Sequence, residues 1–144
     1  MIIGIGIDII RNERIAKLFL EKPDKLKQRI LSLEEQNEFS TLRDNCNRIT
    51  FLSKRFAAKE ALGKAIGCGI NNTYLSLTDI TVAHNKFGKP FFVKNAKISD
   101  TMRKLYHLSS YEIMLSITDE KKYSLANVII QDKQFAVMDF LHKK

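Results

Sequence analysis

Residues 2–10 alternate between Ile3, Ile5, Ile7 and Ile9 on one side and Gly4, Gly6 and Asp8 on the other, the two-residue period of a strand. Basic, helix-compatible sequence follows and is broken near Pro23, which biases its predecessor against the α region. Asp24 is the expected cap of a second helix running to about residue 40. A third helix is expected over about residues 48–66, stopped by Gly67 and Gly69. At about 100° per residue, Phe51, Ala58, Leu62, Ala65 and Ile66 form its apolar stripe. Glu60 falls opposite, between Phe56 and Lys64, facing a cleft or a neighbouring chain. Strands are expected near 76–84, 90–94, 111–118 and 123–131, with a helix near 96–107 and a turn over 85–90. Strands bunched late in the chain predict a single α+β domain over 1–144. Its sheet is expected to be mixed or antiparallel with packed helices, not doubly wound and parallel.

The 144 residues suit one domain, and 44% hydrophobic content is ordinary for a soluble protein. No apolar run approaches the ~20 residues that span a bilayer. The apolar N-terminus has no basic segment ahead of it and no small-residue cleavage site, so no signal peptide is expected. Cys46 and Cys68 make neither a disulfide framework nor a zinc pattern, and predict two reduced thiols in a cytoplasmic protein.

The net charge of +8 is concentrated in two places. Residues 11–29 carry seven basic and three acidic side chains, and residues 43–64 six basic and two acidic, so each is +4 and the rest is neutral. Such clusters favour a polyanionic partner, whether nucleic acid, a phosphorylated cofactor or an acidic protein. A solvated basic helix with no partner fits the same composition.

Three segments carry chemistry. Asp8 lies on an otherwise apolar strand, where an unpaired carboxylate costs several kcal/mol. It is either a ligand to something that approaches past the glycines or an aspartate at a strand end touching water. Gly4-Ile5-Gly6 is no dinucleotide fingerprint, since no third glycine and no helix-opening turn follows. In the run from Arg55 to Lys64, Arg55 with Lys59 and Glu60 with Lys64 sit four apart on shared helix faces. Glu60–Lys64 reads as a surface ion pair, or as a carboxylate for a metal beside a lysine for a phosphate. Ser116 and Thr118 share a strand face that either meets a phosphate or is solvated. His84, His107 and His142 are scattered, without triad or metal-ligand spacing.

In order and spacing, three segments resemble the bacterial holo-acyl-carrier-protein synthases. They are Gly4-Ile5-Gly6-Ile7-Asp8-Ile9, Arg55-Phe56-Ala57-Ala58-Lys59-Glu60-Ala61 with Lys64, and Ser116-Ile117-Thr118. Arg29-Ile30-Leu31, Gly67-Cys68-Gly69-Ile70 and Gly88-Lys89-Pro90 extend the resemblance over essentially the whole chain. It implies the phosphopantetheinyl transferase fold, a cytoplasmic homotrimer with sites between subunits, and an acyl carrier protein as acceptor, with neither nucleic acid nor membrane as partner. Coenzyme A is the implied donor, and Asp8 and Glu60 the implied ligands of magnesium. Glu60 and Lys64 take the catalytic roles, and Arg55, Lys64, Gly67, Lys89 and Ser116 contact the substrate. Arg14 and its basic neighbours meet the acidic carrier. The family pattern His-Val-Ser-Ile-(Ser/Thr)-His reads Met114-Leu115-Ser116-Ile117-Thr118-Asp119 here, without either histidine.

The expected reaction is attack of a carrier serine on the β-phosphorus of coenzyme A, with adenosine 3′,5′-bisphosphate leaving. Positioning and charge neutralisation supply most of the acceleration. Glu60 and an ion-held hydroxide are both candidates for the base. Two rival readings are an inactive relative that binds coenzyme A and a small basic nucleic-acid-binding module.

Overall fold

The computed structural model describes residues 1–133. Strand β1 (Ile2–Arg11) leads directly into helix α1 (Asn12–Glu21), and α2 (Pro23–Ile30) and α3 (Leu33–Ser40) follow. The long helix α4 (Asn45–Ile66) precedes a 3-10 turn over Leu77–Asp79 and a short hairpin of β2 (Val82–His84) and β3 (Pro90–Phe92). Helix α5 (Ala96–Tyr106) and the hairpin of β4 (Tyr111–Asp119) and β5 (Tyr123–Asp132) complete the described chain. The main sheet is antiparallel in the order β1-β5-β4, so the first and last strands pair and the α+β class stands.

Three expected elements differ. The single helix over 24–40 is two, because Leu31 is extended and Ser32 starts a new helix with a capping box. The Glu35 amide donates to Ser32 Oγ at 3.3 Å, and the Ser32 amide donates to Glu35 Oε2 at 2.9 Å. Asp24 does not cap α2; Pro23 occupies its first turn, where a missing N–H costs nothing. The strand expected over 76–84 forms only at 82–84, since Asp79 Oδ2 accepts from the Ser76 amide and hydroxyl and turns the chain there.

Helix α4 starts three residues earlier than its periodicity suggests, capped by Asp44. The stripe Phe51, Ala58, Leu62, Ala65 and Ile66 is buried as expected, but so are Leu52, Ala57, Ala61 and even Arg55 and Lys59. The helix is therefore central: β1 and β5 cover one side, and α1, α2 and the 3-10 turn cover the other. Strand alternation gives β1 two unlike faces, and α4 packs on the one that carries the glycines. Gly4, Gly6 and Asp8 register with Ile130, Val128 and Ala126 on that side, while Ile5, Ile7 and Ile9 face away and are 64, 56 and 60% exposed.

Candidate active site

Two glycines set the distance between β1 and α4. A Cβ on Gly4 would lie 2.0 Å from the Ala65 carbonyl oxygen, and one on Gly6 would lie 2.0 Å from the Ala61 oxygen. The group that approaches the strand past its glycines is the α4 backbone itself. The two elements run in opposite directions, so two residues forward on β1 match four residues back on α4. Those steps are about 6.8 Å and about 6 Å, close enough to stay in phase. Asp8, the next inward position, is thereby carried along α4 toward the face that bears Glu60 and Lys64.

The ion pair that forms there is not the one that helix spacing alone proposes. Lys64 Nζ donates to Asp8 Oδ1 at 2.8 Å and to the Ile7 carbonyl at 3.0 Å, instead of folding back along α4 onto Glu60. The Asp8 side chain is 15% exposed and that of Lys64 is 53% exposed. Glu60 is half-buried in the wall of a cavity of about 220 Å³ that also contacts Arg14, Leu18, Leu26, Arg29 and Phe56. The cleft expected opposite the apolar stripe is this one. Burial first, and then the neighbouring Asp8 charge, raise the Glu60 pKa, while Lys64 partly opposes them.

Asp8 and Glu60 supply only oxygen donors, the set that suits a hard divalent cation such as magnesium, and an ammonium group already sits against one of them. Among the described residues no three or more His, Cys, Asp or Glu gather into a full metal cage. Two carboxylates fit an ion that completes its shell with water and substrate phosphate oxygens.

Behind Glu60 lies a buried polar network that the spacing of charges does not announce. Lys59 Nζ donates to Glu35 Oε2 at 2.5 Å, to the Ile30 carbonyl at 2.7 Å and to the Leu77 carbonyl at 2.9 Å, so all three ammonium hydrogens are used. Glu35 Oε1 accepts from the Val82 amide at 2.9 Å. One lysine thus ties α4 to the end of α2, the start of α3 and the 3-10 turn. Burial lowers the Lys59 pKa to about 8 against the opposing pull of Glu35. The capping signature Ser32-Leu33-Glu34-Glu35 was the available sequence signal for this network.

Arg55, expected to contact the substrate, belongs to the same buried layer. The side chain is 2% exposed, its guanidinium donates to Glu38 Oε2 at 3.1 Å, and it stacks 4.1 Å from the Phe51 ring centroid. Its Nε lies 3.5 Å from Glu35 Oε1, an ion pair too long for a hydrogen bond.

The other expected contacts spread out. Gly67 ends α4 with φ +80°, a left-handed cap, and borders a cavity of about 410 Å³ with Cys68, Asn72, Thr73 and Tyr106. Lys89 is exposed in the β2–β3 turn, where its amide donates to Asn85 Oδ1. Ser116 pairs with Asn127, which pairs with Ile7, so Ser116 lies on the outward sheet face, opposite Asp8. Asp119, at one of the missing histidine positions, pairs with Lys54 at 3.3 Å.

Asp8 and Glu60 are thus electrostatic neighbours in an α+β domain, the first paired with the half-exposed Lys64 and the second bordering a cleft. The chain belongs to the 4′-phosphopantetheinyl transferase superfamily, whose sequence pattern matches residues 4–127. It is 46% identical over 132 residues to the holo-[acyl-carrier-protein] synthase of Pelagibacter ubique, an alignment covering 92% of this chain and 98% of that one. The corresponding synthase of Wigglesworthia glossinidia brevipalpis is 41% identical over 92% of this chain and 94% of its own. Among solved structures, the holo-(acyl-carrier-protein) synthase of Neisseria meningitidis superposes with a TM-score of 0.80 at 36% identity, over 92% of this chain and all of that one. The Bacillus anthracis synthase, solved in complex with CoA (3′,5′-ADP), gives 0.75 at 35% identity over 92% and 98%.

Proposed function

We infer that this chain transfers the 4′-phosphopantetheine group of coenzyme A to a serine of apo-acyl carrier protein. The observation that carries this reading is the meeting of Asp8 with Lys64 and with the charge of Glu60, in a chain 46% identical to a holo-[acyl-carrier-protein] synthase along nearly its whole length. The serine oxygen forms a bond to the β-phosphorus, the bond from that phosphorus to the bridging oxygen breaks, and adenosine 3′,5′-bisphosphate leaves with the electron pair. Asp8 and Glu60 hold a magnesium ion, which when bound offsets the negative charge of the pyrophosphate. Lys64 offsets charge on the leaving side. Glu60 and an ion-held hydroxide are the two candidate acceptors for the proton of the serine hydroxyl.

Gly67, Lys89 and Ser116 complete the substrate contacts, and Arg14, on the Glu60 cavity wall, meets the acidic carrier. The position of Ser116 on the sheet face opposite Asp8 supports a site assembled from more than one copy. The outward row Ile5, Ile7 and Ile9, flanked by Leu125, Ile129 and Met114, supports a homotrimer built on that face. Free Cys46 and Cys68 suit a reducing compartment, and we take the cytoplasm as the site of action. Among the described residues, no helix is long and apolar enough to cross a membrane.

The deciding experiment incubates the protein with apo-acyl carrier protein, coenzyme A and magnesium, and weighs the carrier by intact mass spectrometry. A phosphopantetheine-sized increase that a chelator abolishes is expected. Coenzyme A binding without any increase would identify an inactive relative instead.

A further inference from the structure

We propose that Lys64 is a resident counter-cation of the Asp8–Glu60 pair, which keeps a free divalent ion out of the resting site and leaves when a phosphate-bearing ligand arrives. This rests on the reading of Asp8 and Glu60 as the metal pair.

The geometry is that of an occupied site. Lys64 Nζ is held between Asp8 Oδ1 at 2.8 Å and the Ile7 carbonyl at 3.0 Å, two of the oxygens that a cation at this position would use. Lys64 Nζ already occupies these oxygens, and where Asp8 is largely shielded from water a second positive charge within a few ångströms of the ammonium is strongly repelled. The ion therefore binds in the place of Lys64, not beside it. The lysine is free to yield, since more than half of its side chain is exposed and its four-carbon stem has room to swing into solvent.

The same side chain makes the two ligands cooperative. A pyrophosphate at the mouth of the site offers the ammonium an anionic partner, so the nucleotide draws Lys64 off Asp8 while the ion takes the oxygens released. By linkage, each ligand then tightens binding of the other. The buried Lys59 has no such freedom, because all of its donors are committed to the core. Of the two lysines in the helix motif, one is a fixed tie and the other a movable charge.

The test needs no turnover. Manganese alone is titrated into the wild-type chain and into Lys64→Met without coenzyme A, and free manganese is read from its paramagnetic resonance signal. Methionine keeps the stem of this half-exposed residue and removes the charge, so the fold is retained. Lys64→Met is expected to bind manganese about three- to tenfold more tightly than wild type. Equal or weaker binding, or no detectable binding in either protein, overturns the proposal. Asp8→Asn is titrated in both backgrounds as a separate arm. If manganese binding survives Asp8→Asn unchanged, it is the assignment of the metal pair that fails, whatever Lys64→Met does.

Discussion

The ammonium of Lys59 and the carboxylate of Glu35 meet at 2.5 Å in the core, one residue before the Glu60 that faces the cleft. The site is therefore backed by a rigid tie. The position of Glu60 along α4 depends on a lysine that also fastens the end of α2 and the 3-10 turn.

Lys59→Met is expected to lower stability by about 3–5 kcal/mol, because Glu35 is left buried with its charge only partly compensated by Arg55. The midpoint of urea unfolding measures this. A loss below about 1 kcal/mol would show that the network relaxes around the gap.

Gly6→Ala tests the close approach of strand and helix. The new methyl would lie 2.0 Å from the Ala61 oxygen and 2.5 Å from the Ala65 nitrogen, both backbone atoms that move only with the helix. A destabilisation at or beyond the upper end of ordinary overpacking, about 3 kcal/mol, is expected, with a fall in kcat as Asp8 and Glu60 separate. Unchanged thermal stability would mean that β1 and α4 lie further apart than described.

Glu60→Gln is expected to raise the unfolding temperature at neutral pH in the presence of a chelator. The folded-state pKa is raised, so the folded chain holds its proton more tightly than the unfolded one, and wild-type stability falls as pH rises through the folded value. The advantage of glutamine is present above that pKa and disappears below the ordinary value of 4.5. Melting curves of both proteins across this range decide it; a gap that widens on acidification would reverse the assignment.

Arg14→Glu is expected to raise the apparent KM for the carrier protein about tenfold or more while sparing coenzyme A, since it reverses one charge facing an acidic partner. Steady-state kinetics with each substrate varied in turn measure it. Equal losses for both substrates would place Arg14 elsewhere in the reaction.

Ile7→Glu is expected to dissociate the assembly and leave the monomer folded, because Ile7 points away from α4 and is already exposed there. Light scattering coupled to size-exclusion chromatography, with circular dichroism as a check of folding, reads both properties. A wild-type chain that elutes as a monomer would remove the trimer reading.

Local pattern was enough for much of this protein. The alternation in residues 2–10, the glycine stops after Ile66 and the two late strands each follow from neighbours a few positions away, and each element appears within a few residues of its expected place. The motif residues Asp8, Glu60 and Lys64 were legible as residue types suited to metal and phosphate. Periodicity carries no distances between elements, however, and the helix spacing that offers Glu60 to Lys64 was overruled by Asp8, 56 positions earlier in the chain. Helix spacing puts Arg55 and Lys59 on one face but does not say that this face is buried. Only packing against α2, α3 and the 3-10 turn supplies the acceptors that make their burial possible. The sheet was decided in the same way: alternation predicts two faces of β1, but it is the closeness of α4 to Gly4 and Gly6 that selects which face is covered and leaves the isoleucines outside.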